Sequence, residues 1–152
     1  MYAVIRLRGS AHLRYTIGDT MKLMRLNHIN HCNLLPENET SKGMLKMAKD
    51  YITWGEIDAA TLAELLAKRG MLIGDKPLDA AGLKATGYAS HEELAKALIE
   101  GKVKYADVPG IKPIIRLHPA RKGLEGIKRG FRAGGALGYR GKEINALIMR
   151  ML

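Results

Sequence analysis

The 152-residue sequence predicts a mixed α and β protein: a compact β-α-β-α-β unit over residues 1–57, a helical stretch over 58–110 and a basic, glycine-rich extension over 111–152. Three observations carry that division. Strand-like and helix-like apolar spacings alternate through the first stretch, whereas helix caps and stops punctuate the second. Charge is also unevenly spread. Residues 1–57 sum to +3 and 58–110 to −1, while 111–152 hold ten Lys or Arg against two Glu, so +8 of the net +10 lies in the final quarter.

The elements follow in order. Tyr2–Arg8 alternates from Val4 onward, placing Ile5 and Leu7 on one face and Arg6 and Arg8 on the other, a half-buried strand whose outer face is basic. Thr16 is placed to cap a helix that carries Ile17, Met21 and Met24 at helical spacing, with Asp19 near the positive end of its dipole. The run His31–Leu35, stopped by Pro36, reads as a second strand. Thr40–Ala48 reads as a short helix, and Tyr51–Trp54, rich in β-formers, as a third strand. Asp58 caps Ala59–Arg69, which Gly70 ends; Ser90 with Glu93 matches a capping box before Leu94, Ala97 and Leu98, with Gly101 as the stop. A weaker helix lies between Asp79 and Thr86, Ile114–Leu117 reads as one more strand, and Ile144, Leu147, Ile148 and Met151 mark a closing helix.

Between Arg116 and Lys142 the cations alternate with seven glycines rather than with helix formers. Ordering a residue costs roughly 1–2 kcal/mol of backbone entropy, and this stretch has little apolar surface to offset it. It is therefore expected to have no stable shape of its own and to be ordered by a polyanion. Arg116, Arg121, Arg129, Arg132 and Arg140 can grip phosphates in bidentate fashion, and Phe131 and Tyr139 are spaced as wedges or stacking partners. RNA is favoured over DNA, because loop-rich binders suit folded RNA and no helix-turn-helix or zinc module is visible.

Other chemistries fit poorly. Asn27–Cys32 holds two imidazoles and a thiol but lacks the four ligands of a structural zinc site, so no metal is expected. Ala136–Glu143 resembles a phosphate loop, with Ala136 where glycine is required and Glu143 where a hydroxyl should ligate magnesium. Neither Cys32 nor Ser10, Ser41 or Ser90 stands in a nucleophile context, and Asp58, Glu64, Glu92 and Glu93 are explained as caps and solvated faces. No apolar run approaches the roughly 18–20 residues of a spanning helix. The opening strand pattern and the lone Cys32 lead us to expect no secretory signal and a reducing cytosol.

Three stretches resemble one family. Leu26–Pro36, Lys42–Gly55, and the pair Leu117–Gly123 and Gly134–Gly141 are similar, in order, to the signatures of the large-subunit ribosomal protein family numbered thirty (seven in eukaryotes), in its longer archaeal form. The short bacterial form would correspond to about residues 1–57. The chain departs from the family pattern at His28 and Lys42, where Arg is frequent, and at Gly130, where Pro is frequent. The resemblance implies an α+β fold with an antiparallel, somewhat ferredoxin-like sheet, and a cytoplasmic structural constituent of the large subunit. It implies large-subunit rRNA as partner with 5S rRNA and other ribosomal proteins nearby, and no catalysis, cofactor, membrane or small-molecule substrate. On this reading RNA is met by Arg6 and Arg8 on the first strand and by Lys42, Lys46 and Lys49 on or after the second helix. Arg116, His118, Arg121, Lys122, Lys128, Arg129, Arg132, Tyr139, Arg140 and Lys142 of the extension complete the set.

Overall fold

The computed structural model describes residues 1–152 as a six-stranded mixed sheet between two helical layers. Strands β1 (Tyr2–Arg6), β2 (His31–Leu35) and β3 (Ile52–Glu56) form its antiparallel centre, with β1 in the middle. Helices α1 (Tyr15–Leu23) and α2 (Glu39–Met47) cover one face, where Tyr2, Val4 and Ile52 pack against Met21, Met24, Leu26, Leu45 and Ala48. Helices α3 (Ala59–Arg69), α4 (Ala80–Thr86), α5 (His91–Ile99) and α6 (Ile144–Met151) cover the other. There Ala3, Ile5, Leu7, Cys32 and Leu34 join Leu62, Leu65, Leu94, Leu98, Leu147 and Ile148 in one apolar cluster. The helical stretch and the closing helix therefore share a core with the first three strands.

The local signals act where expected at α3 and α5. Asp58 occupies the N-cap position of α3, without a side-chain cap bond, and Gly70 follows the last residue. The Ser90 hydroxyl accepts from the Glu93 backbone N–H, while the Glu93 carboxylate reaches back one residue further than a standard capping box, to the N–H of Ala89. At α1 the cap differs: Arg14 stands at the N-cap with no side-chain bond, and Thr16 lies inside the first turn.

Two expectations need correction. First, β1 has no solvent face. Arg6 is 3% exposed, because α1 and α2 roof the face that sequence alternation assigns to water. Second, the extension is not shapeless. Strand β4 (Ile115–Arg116) pairs with β2, and β6 (Gly135–Tyr139) enters the sheet parallel to β3, flanked by β5 (Gly126–Gly130). Gly135, Ala136 and Leu137 are buried, whereas β5 is exposed throughout. Glycine here serves close packing: a Cβ on Gly135 would overlap the Arg129 carbonyl, and one on Gly55 the Gly141 carbonyl.

Candidate nucleic-acid interface

Strand directions sort the charges. β1 ends where β2 and β3 begin, and the β4 residue Arg116 lies opposite His31 at that same end of the sheet. The loops there carry Arg8, His12, Arg14 and Lys49. The opposite end carries Glu37, Glu39, Glu56 and Asp58 beside the exposed Lys42 and Lys142, with the N-terminal amine donating to Glu37 at 2.7 Å. A polyanion is drawn more strongly to the first end than to the second.

At the basic end, three segments distant in sequence enclose a groove of about 620 Å³. The loop after β1 contributes Arg8, His12 and Arg14, the turn before β3 contributes Lys49, Tyr51 and one carboxylate, Asp50, and β5 contributes Lys128. Arg8 is held in place: its guanidinium donates to the Asp50 carbonyl at 3.0 Å and lies 4.9 Å from the centroid of the Tyr51 ring. The α1 N-terminus, without an acidic residue in its first turn, adds its positive dipole end beside Arg14.

The candidate residues thus fall into different surroundings. Arg8, Lys49 and Lys128 converge on the groove. Lys42 and Lys46 are exposed along α2, with Lys42 in its first turn. Arg129 and Arg132 are exposed on β5 and the turn after it. Arg116, His118, Arg121 and Lys122 are exposed at and beyond β4, the opposite edge of the sheet from β5. Arg150 pins that approach: its guanidinium donates to the carbonyls of Arg121 and Gly123 and lies 3.6 Å from Glu125. The Glu125 carboxyl sits below its ordinary pKa, first through a backbone hydrogen bond and further through Arg140 and Arg150. Lys142 is exposed. Tyr139 is exposed, but its hydroxyl donates to Glu56 at 2.6 Å, which raises its pKa to about 12.

Arg6 and Arg140 correct the sequence reading, for neither presents its guanidinium to water. Arg6 donates to the carbonyls of Arg8, Leu26 and Asn27 and to the Ser10 hydroxyl, at 2.6–2.8 Å. Arg140 donates to the Thr53 hydroxyl at 2.9 Å and the Ala136 carbonyl at 2.7 Å, and stacks 4.7 Å from the Phe131 ring centroid. Burial lowers the pKa of both. Each is a positioning residue: Arg6 fixes the loops at the basic end, and Arg140 ties β6 to β3 and to the turn that follows β5.

His12 and Arg14 lie outside the contacts that the sequence predicts. Their only local signal was position, in the loop between the first strand and the first helix, and nothing nearby in the chain announces Lys49 or Lys128 as neighbours. Among the described residues, no group of three or more His, Cys, Asp or Glu could hold a metal ion, and no helix is long and apolar enough to cross a membrane.

A layered α+β scaffold with cations from three separate segments converging at one end of its sheet has the build of a nucleic-acid-binding protein. Comparison with known proteins gives the particular kind. The family model described as ribosomal protein L30p/L7e matches residues 2–52. Over nearly its full length the chain is 51% identical to the large ribosomal subunit protein uL30 of Methanocorpusculum labreanum, across 152 residues and 99% of each chain. It is 52% identical to uL30 of Nanoarchaeum equitans, across 154 residues, 100% of this chain and 99% of the relative. Against uL30 of Thermoplasma volcanium the identity is 50% across 153 residues, 100% of this chain and 93% of the relative. The chain belongs to the uL30 family.

Proposed function

We propose that this protein is a structural, non-catalytic constituent of the large ribosomal subunit that binds large-subunit rRNA through the basic end of its sheet. It works in the cytoplasm, with 5S rRNA and other ribosomal proteins as neighbours. The convergence of Arg8, His12, Arg14, Lys49 and Lys128 on one groove carries the reading, since three separate segments contribute and Arg8 is pre-set by Tyr51 and Asp50. Residues 1–57 supply the platform, 58–110 brace it from behind, and the exposed 118–134 segment extends the contact along the RNA. Lys42, Lys46, Arg116, His118, Arg121, Lys122, Arg129, Arg132 and Lys142 act as outlying phosphate contacts.

Binding energy is then largely counterion release, and engagement of about six phosphates gives a log K against log salt slope of about −4 to −5. The test is equilibrium binding to large-subunit rRNA of an archaeal relative across a salt series. The combined change Arg8→Gln, Arg14→Gln, Lys49→Gln, Lys128→Gln is expected to weaken binding to every sequence and flatten the slope by about three to four units. A parent slope near zero, or a combined variant that binds like the parent, would refute the proposal.

A further inference from the structure

Beside the cationic groove lies a second depression of different chemistry. It measures about 520 Å³, within the roughly 300–1,000 Å³ typical of small-ligand clefts. Leu13 and the almost wholly buried Met21 and Leu26 give it an apolar floor, Ser10 and Asn27 stand on its wall, and the Asp19–Lys22 ion pair, 3.1 Å apart, also lines it. That wall is rigid, because Arg6 bonds at once to the Ser10 hydroxyl and to the carbonyls of Leu26 and Asn27. At its mouth stands Tyr15, the first residue of α1 and 82% exposed, more than any other large apolar side chain of the protein. Arg14 lines both the groove and the cleft, so the two share one cationic ridge.

Building on the RNA-binding reading above, we infer that this cleft receives one unstacked nucleobase of the bound RNA, with the Tyr15 ring as its stacking platform. A strand whose phosphates follow the groove passes Arg14, and a base turned out at that point meets Tyr15 and the apolar floor. Every base has a π-face, so an aromatic ring beside a phosphate-binding residue suits any of them. A-form duplex keeps its bases stacked inside, so the ligand is a loop, bulge or single-stranded junction. The charge of the adjoining groove favours RNA over an apolar protein segment as the occupant.

The experiment measures affinity of the full chain for large-subunit rRNA of an archaeal relative, with three variants whose folding is checked by thermal denaturation. Tyr15→Ala and Tyr15→Leu are each expected to weaken binding by about 5- to 100-fold with the salt slope unchanged, and Tyr15→Trp to bind at least as tightly as the parent. A Tyr15→Ala variant that binds like the parent overturns the inference, as does a Tyr15→Leu variant that does so, since that would make the contact apolar rather than stacking. Failure here leaves the groove reading intact if the four-cation variant still loses its salt slope. Absence of salt-dependent binding in the parent brings both down.

Discussion

β5 and β6 come from one glycine-and-cation stretch, nine residues apart from start to start, and end in opposite surroundings. β5, Gly-Ile-Lys-Arg-Gly, is exposed along its whole length; β6, Gly-Ala-Leu-Gly-Tyr, fills the space between β5 and β3. Composition over the stretch does not tell them apart. The outcome depends on which five residues lack charge and bulk, and on whether β3 offers an edge beside which they fit. Edge strands need charge to discourage further pairing, and Lys128 and Arg129 supply it on β5. A segment read as a disordered ribbon is thus half core strand and half cationic edge.

The largest effect is expected at the tight contact between β3 and the turn after β6. Gly55→Val would drive a side chain into the Gly141 carbonyl and against Ile144, and is expected to cost about 3 kcal/mol or more in urea denaturation. Wild-type stability there would show that the turn after β6 is not packed as described. Next in size is a matched pair. Leu137→Ala in β6, 4% exposed, is expected to lose about 2–4 kcal/mol, whereas Ile127→Ala in β5, 46% exposed, should stay within about 0.5 kcal/mol. Equal losses at the two positions would erase the distinction between the strands.

Two arginines of the same stretch divide in the same way. Arg140→Gln leaves the Ala136 carbonyl without its buried donor and is expected to cost about 1–3 kcal/mol, while Arg129→Gln should cost less than about 0.5 kcal/mol and weaken RNA binding instead. Denaturation and rRNA binding measured on both variants would separate positioning from contact.

The smallest effect concerns pH. His31, buried beside His28, Arg116 and Arg6, titrates below its ordinary 6.5, chiefly because burial disfavours the imidazolium. As pH falls below 6.5 the unfolded chain takes up a proton that the folded chain refuses, so stability declines until the folded-state pKa is passed; above 6.5 the site contributes no slope. Denaturation of a His31→Gln variant should show a shallower decline over that window. An unchanged decline would assign it to other groups.

Elements with local signals are legible in the chain alone. Period-two and period-3.6 apolar spacing, the Ser90 cap, and the Gly70 and Pro36 stops mark β1 to β4 and the helices to within a residue or two, because such signals act over one turn or one strand. The charge asymmetry, and with it the class of partner, was legible in the same way. Which cations reach water depends on packing between segments far apart in the chain. Arg6 and Arg8 look alike in the alternating strand, yet the helices that roof one of them lie beyond it in the chain, and the Thr53 that holds Arg140 lies 87 residues before it. The groove and the Tyr15 cleft likewise join residues that no spacing rule connects. Desolvation and convergence are set by neighbours brought together in folding, and a linear pattern carries no record of them.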